Sequence, residues 1–505
     1  MRRALIAVVL TAGLITVRGD GARAQGGQIH DTYYFICEIN KASIVMLAEN
    51  GIVPEPLAAR IAKGIQETIV SLSAKRPTDY FDFEPKLLEV AGPEASRVHT
   101  GRSRQDIEST YQRQYARESL LKGYEALNDA RGRLLALADN HLETIIPAYT
   151  LDVQAQPTSL AHYLHGIAAT LERDSERLRA AYARINCSPL GAAALGTSGF
   201  PLDRRRLADL LGFEGVVENS YDANHMAPVD FAAELVSTLA ISALHLGQFS
   251  QDLLIQYHNP TPWLMLKEGA LTGTSSIMPQ KRNPRALGDL RAVSSAVVGD
   301  AQTVFVIAHN TSVGDYDYRE EQQFVQTAEK ARRMYRTFSE VLDGLIVYPD
   351  RSLAEVNAEY STMTELADML LREALVPFRI GHHFASELTN YGRAHGLTPK
   401  EIPYQEGVRI YREVTGEKLP LTEAQFRSAF DAKLMVTSRR GLGGPQPAEV
   451  KRMLAESHTR LASDGAWLQA RRQHLQDAQA TLDKAFSQLI ARSPTEKQKQ
   501  TGSQD

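Results

Sequence analysis

An all-α fold is predicted by two long helical seams and by the lack of any strand-like alternation of comparable length. In the first seam, Leu120, Tyr124, Leu127, Leu134 and Leu137 recur at spacings of three, four or seven, which puts them on one apolar face. In the second, Leu235, Leu239, Ser242, Leu246, Phe249 and Leu253 follow a 4-3-4-3-4 pattern, the seam of a helix packed in a bundle. His245 falls inside that second segment and reads as structural. The chain has 505 residues and is 43% apolar, enough for two or three domains or one large multi-part helical fold.

The first 24 residues read separately. Arg2 and Arg3 precede the apolar run Ala4 to Val17, and Ala22-Arg23-Ala24 supplies an A-x-A cleavage pattern. Residues 1–24 are therefore expected to be a signal peptide and the remainder an exported, periplasmic protein. The Arg-Arg pair lacks the rest of a twin-arginine pattern, so the route is open. Removing this segment takes away four arginines and one aspartate, leaving a chain more acidic than the formal −4 of the whole. A scattered, mildly acidic charge argues against a nucleic-acid partner. No unbroken apolar run reaches the roughly 18 residues of a membrane span. Cys37 and Cys187 are the two cysteines; a disulfide and two buried free thiols both remain open. Neither cysteine nor histidine spacing suggests a metal site, and no cofactor is called for.

From Tyr33 to about Leu88 short helical patterns alternate with loops. Val98 to Thr110, VHTGRSRQDIEST, puts hydroxyls, free backbone N–H groups and guanidinium forks at a helix start. That suits a carboxylate cradle, or equally a helix capped by Ser103 or Thr100. Between the two seams lies IIPAYTLDVQAQPTSLAHYLHG, Ile145 to Gly166. Leu271 to Arg291, LTGTSSIMPQKRNPRALGDLR, interrupts the helical pattern with Gly273, two prolines and a polar run. Gly and Pro make this a loop. Its Ser275 and Ser276 hydroxyls, Lys281 cation and Asn283 amide suit a small dianion; a solvated inter-helix loop is the plainer reading. After Asp350 the helical patterns shorten, and the tail from Ser493 has a disordered composition.

SSIMPQKRNP resembles the signature loop of the aspartase/fumarase superfamily, and Gln280 points to its argininosuccinate lyase branch. The resemblance implies that Ser275 is the catalytic base, that Lys281 and Asn283 hold a substrate carboxylate, and that the loop is a lid. Thr274 stands where the family usually has glycine. VHTGRSRQD resembles the family's HTGRSRND motif, which implies substrate contacts from Thr100, Ser103, Arg104 and Gln105, the last replacing an asparagine. Ile145 to Gly166 resembles the block PGYTHLQxAQPTxxGHxL, with Tyr149, Thr150, Ala155, Gln156, Pro157 and His162 in register; Thr150 is the implied binding residue. The family histidine after that threonine, its usual candidate for protonating the leaving amine, is Leu151 here. The glutamate that orients it is Gly288, and Val153 replaces a glutamine. Asp152 or His162 is left as a surrogate acid. Leu195 to Phe213 and Asn219 to Ala223 resemble two further blocks, followed by a small insertion before Asp230. Tyr316 matches a tyrosine placed against substrate, or is an ordinary packed aromatic. Met363 to Leu397 resembles the opening of the family's C-terminal domain, where His382-His383 falls on a position that is not a ligand.

The resemblance runs from about residue 38 to 470. It implies three helical domains, taken as 25–103, 104–350 and 351–492, with a long central bundle and a disordered tail at 493–505. It also implies a homotetramer with a 20-helix core and active sites shared between subunits. The implied chemistry is β-elimination from an N-succinyl amine such as argininosuccinate, giving fumarate. A non-catalytic dicarboxylate-binding relic is favoured by Leu151 and Gly288, and a lyase for another amine or a cycloisomerase is a third reading.

Overall fold

The computed structural model describes residues 30–309, 312–313 and 323–492. The expected signal peptide, the tail from residue 493 and Tyr316 lie outside the described residues. In the N-terminal part, α1 (Thr32–Glu49), α2 (Glu55–Leu72) and α3 (Tyr80–Ala91) lead through a 3₁₀ turn to α4 (Arg104–Asp139). A hairpin of β1 (Ile145–Thr150) and β2 (Val153–Ser159) turns the chain into α5 (Leu160–Ile185). Short pieces follow: β3 (Cys187–Ser188), α6 (Arg204–Leu210), β4 (Gly215–Val216) and α7 (Ser220–His225). The bundle continues with α8 (Ala227–Gln256), β5 (Leu264–Leu266), β6 (Gly273–Thr274), β7 (Arg282–Asn283), α9 (Arg285–Ala308), α10 (Gln323–Asp343) and β8 (Leu345–Val347). The last part holds α11 (Pro349–Ala358), α12 (Met363–Ala374), α13 (Phe378–Ala394), α14 (Tyr404–Thr415), α15 (Glu423–Ser428), α16 (Ala432–Thr437) and α17 (Pro447–Ala491). Every described strand belongs to a two-stranded piece: β1–β2, β5–β8 and β6–β7 antiparallel, β3–β4 parallel. The molecule is built from helices, as the seams require.

All six residues of the 235–253 seam are buried, in one core with the buried faces of α4, α5, α9 and α10. His245 is structural: its Nδ1 lies 2.9 Å from Asp174 Oδ2, tying α8 to α5. The α4 seam is buried too, with Leu137 packed at its margin. Buried arginines on α4 close the ends of its neighbours. Arg113 donates to the Arg184 and Ile185 carbonyls at the end of α5 (2.8 and 3.2 Å), and Arg117 donates to those of Leu211 and Gly212 after α6 (3.1 and 2.9 Å). Last-turn carbonyls need such donors.

The long α17 was expected within the C-terminal domain, yet its buried residues serve two other cores. Val450, Leu454 and Leu468 join the bundle, and Leu482, Phe486 and Leu489 join the N-terminal core. A separate core runs from Met363 to Phe430. Although the sequence has no unbroken apolar run of spanning length, α8 and α9 are long and apolar enough on average to cross a membrane. One face of each is bundle core, while Leu244 (57% exposed), Ile255 and Val306 (73%) face outward. Cys37 and Cys187 are separate free thiols, and His382 and His383 lie exposed on α13.

Candidate active site

The signature loop is closed by a two-rung ladder in which Gly273 pairs with Asn283 and Thr274 with Arg282. That register brings Ser275 and Lys281 to the next facing positions at the mouth of the loop. Ser275 Oγ accepts hydrogen bonds from the backbone N–H of Met278 (3.0 Å) and of Ile277 (3.4 Å). Two N–H groups aimed at a hydroxyl oxygen favour its ionised form. Arg282 is occupied elsewhere, with Glu268 (2.9 Å) and the Pro279 carbonyl (2.8 Å). Lys281 is exposed and makes no ion pair among the described residues.

The helix start sets half-buried groups around two buried ones, Arg102 and Asp106. Gly101 has φ +70°, and a Cβ there would meet the Leu202 side chain at 2.2 Å, so only glycine fits. Arg102 is buried and donates to Ser43 Oγ (2.7 Å), Asn40 Oδ1 (2.5 Å) and Tyr80 Oη (3.1 Å), which makes it a strut. Arg104 is the accessible guanidinium of the pair, 3.6 Å from both Asp79 and Glu108 and stacked over Phe81. Ser103 caps α4 by accepting from Gln105 N (3.0 Å), and Thr100 Oγ1 donates to the Arg97 carbonyl (2.7 Å). His99 stacks on Tyr80, and burial together with the nearby Arg102 charge lowers it to about 4.

Sequence reasoning passed over Asp106, next after the motif's Gln105. Its carboxylate accepts from the N–H groups of Ala193 and Ala194 and from Asn224 Nδ2, each at 2.8 Å. Ala193 and Ala194 have φ +47° and +66°, so this clamp holds a strained loop against the helix start. Burial pushes the Asp106 carboxyl upward while the three donors oppose it. Its place at the end of the HTGRSRQD stretch was the available signal.

The third piece is the tip of the β1–β2 hairpin. Leu151 and Asp152 both have positive φ, +50° and +60°, the two-residue turn that usually takes Asn-Gly or Asp-Gly. Leu151 is 98% exposed, and Thr150 and Asp152 are exposed beside it. Asp152 makes no ion pair among the described residues. His162 is held at both nitrogens: Nδ1 lies 2.9 Å from Thr158 Oγ1, and Nε2 lies 3.0 Å from the Gly443 carbonyl, which only accepts. That fixes Nε2–H and leaves no free ring nitrogen. Gly288, where the resemblance expects a glutamate, lies in the first turn of α9, where an added Cβ would meet nothing within 4 Å. No steric demand explains the glycine. Among the described residues no hydrogen bond or ion pair joins the helix start, the hairpin tip and the signature loop to one another.

The chain matches the family model described as Lyase over residues 54–299, which takes in all three pieces, and the one described as Argininosuccinate lyase C-terminal over 360–437. It is 32% identical to argininosuccinate lyase 1 of Shouchella clausii over 456 residues, 88% of this chain and 91% of that protein. The argininosuccinate lyase of Methanosarcina mazei is also 32% identical, with 90% and 91% covered. The chain belongs to the argininosuccinate lyase family. Its fold agrees with the crystal structure of EDDS lyase in complex with formate, at TM-score 0.84, 29% identity and 91% and 92% coverage. Within this family frame the backbone of the hairpin is present and closed, while the expected histidine and glutamate side chains are replaced by Leu151 and Gly288.

Proposed function

We propose that the chain is a carbon–nitrogen lyase that eliminates a guanidine or amine from an N-succinyl substrate, argininosuccinate to arginine and fumarate. The observation that carries this reading is the pair of backbone N–H groups on Ser275 Oγ at the mouth it shares with Lys281. Ser275 as alkoxide takes the proton from the carbon adjacent to the substrate carboxylate. The electron pair moves onto that carboxylate, where Lys281, Asn283 and the α4 start with Thr100, Ser103, Arg104 and Gln105 hold the dianion. The C–N bond then breaks, its electrons leaving with the nitrogen, and fumarate remains. A guanidine departs as a strong base and takes its proton from water, so the missing histidine costs a general-acid factor of about 10²–10⁴ without closing the route. The same Leu151 and Gly288 favour, as a second reading, a lyase for a different N-succinyl amine.

The assembly that fits is a homotetramer with shared active sites. Its support is that no hydrogen bond or ion pair joins the three pieces within the described residues of one chain, together with the uncovered apolar faces of α8 and α9, where Leu244, Ile255 and Val306 are exposed. Export to the periplasm rests on the arginine-led apolar run and A-x-A pattern of residues 1–24. Fumarate absorbance with argininosuccinate, measured for the wild type and Ser275→Ala, tests the reaction. Turnover that Ser275→Ala removes supports it; a thermal shift with fumarate but no turnover on any N-succinyl amine sinks it. Native mass by light scattering reads the tetramer.

A further inference from the structure

Beyond the helix start, the middle of α4 borders a cleft of ≈720 Å³ shared with α1, the end of α6 and the C-terminal half of α17. Its volume is in the range of small-molecule sites. Most charges on its wall are answered within the chain. Glu118 accepts from the His30 backbone N–H (3.0 Å) and lies 2.8 Å from the ring Nδ1 of the same residue. Glu38 and Asp483 share Lys41, at 2.8 and 3.1 Å, and Arg472 donates to Glu125 (2.7 Å). Leu121, Leu210, Leu211 and Leu475 give the cleft an apolar wall.

Three polar atoms on the α4 side of the cleft have no hydrogen-bond partner among the described residues. Lys122 Nζ is shielded from solvent and unpartnered, and burial lowers its ammonium from the ordinary value. Arg117 is 4% exposed and donates to Asn186 Oδ1 and to the Leu211 and Gly212 carbonyls, all neutral, while its Nε is buried without an acceptor. Gln114, 3% exposed, has a buried Oε1 without a donor. All three residues line the cleft. Buried polar atoms are otherwise paired in folded chains, and a buried cation calls for a counter-charge. The unanswered set is therefore two cationic donors and one neutral acceptor, next to the carboxylates of Glu38 and Glu118. A plain carboxylate would satisfy the donors and leave Gln114 bare; an amine would do the reverse. An α-amino acid carries both groups on one carbon. We propose that this cleft binds a free apolar amino acid, its carboxylate on Lys122 and the Arg117 Nε–H, its ammonium on Gln114 Oε1 and its side chain against Leu210, Leu211 and Leu475. The site stands independently of the lyase reading.

The test is calorimetric titration of the full chain with L-leucine. The expected result is saturable binding, with isoamylamine, which lacks the carboxylate, and 4-methylpentanoate, which lacks the ammonium, each roughly ten-fold weaker or more. Lys122→Met and Gln114→Met should each weaken leucine by a similar factor. Lys122 is half-buried, so its variant is expected to fold, which its melting temperature checks. Where Gln114→Met fails to fold, the two truncated ligands still read the same contacts. Lys281→Met, in the signature loop, should leave leucine affinity within about two-fold. No saturable heat with leucine, or unchanged affinity in folded Lys122→Met, overturns the site. A large loss in Lys281→Met would put the binding at the signature loop and overturn the cleft. Either truncated compound binding as tightly as leucine overturns the amino-acid assignment.

Discussion

The signature loop and the hairpin tip are alike in build and opposite in content. Each is an exposed turn closed by an antiparallel pair, β6–β7 for the loop and β1–β2 for the tip. The loop holds Ser275, Lys281 and Asn283, the residues its resemblance to the signature loop implies, and points backbone N–H groups at the serine oxygen. The tip keeps the family's backbone but presents Leu151, an apolar side chain in a left-handed conformation and fully in water. On the proposed reaction, proton removal by Ser275 is equipped and proton delivery is not. Breaking the equipped half should give the largest effect: Ser275→Ala is expected to lower kcat about 10²–10⁴-fold, read by fumarate absorbance. The loop is exposed, so the variant's folding stability should stay within about 0.5 kcal/mol of wild type.

The helix start differs from both turns because its groups are half-buried or buried. His99, lowered to about 4 in the folded chain against 6.5 for the ordinary side chain, stays neutral while its unfolded counterpart takes up a proton. Stability tied to His99 is present above pH 6.5 and is lost as the pH falls from 6.5 towards 4, with a slope of at most about 1.4 kcal/mol per pH unit. Urea denaturation across that window should show the decline, and His99→Gln should flatten it. Equal slopes in the two proteins would remove His99 as the cause.

Much of this frame was legible before the structure. The 4-3-4-3-4 seam of α8, the Ser103 cap and the structural part of His245 follow from spacing and chemistry that act locally. The hairpin did not announce itself, for two physical reasons. Its turn residues are Leu151 and Asp152 rather than a glycine pair, and Pro147 faces Pro157 across the strands, positions that lack an N–H and are tolerated because both strands are edges. The path of α17 was equally hidden, since a helix records that it has an apolar face but not which core receives it. Asp106 was missed because its partners, Ala193, Ala194 and Asn224, lie about 90 to 120 residues away. Where Tyr316 stands relative to the site lies outside the described residues.

Restoring the unequipped half should move the rate the other way. Gly288→Glu has room, with nothing within 4 Å of the added Cβ, and replaces a helical glycine at a gain of about 0.5–1 kcal/mol. Leu151→His alone puts an imidazole at the tip without its carboxylate partner. The double variant is expected to raise kcat about ten- to a hundred-fold, within the range of general acid catalysis, with the gain lost on the alkaline side of the pH–rate profile as the new imidazole gives up its proton. Each single change should do little. A double variant no faster than wild type would show that leaving-group protonation does not limit turnover, in keeping with a strongly basic guanidine.

The smallest effect separates strain from function at the tip itself. Leu151 holds a left-handed conformation that costs an L-residue roughly 1–2 kcal/mol, and at 98% exposure it recovers no packing within the chain. Leu151→Gly removes that cost and loses part of the gain to the greater freedom of the unfolded chain. A net stabilisation of about 1 kcal/mol is expected, seen as a higher melting temperature. If Leu151 is there only because the histidine was lost, KM and kcat will stay within about two-fold. If KM rises while the melting temperature also rises, the strain is held for substrate contact. The exposed leucine then lines the site in the assembled enzyme, and the altered half of the chemistry is a changed specificity and not a vacancy.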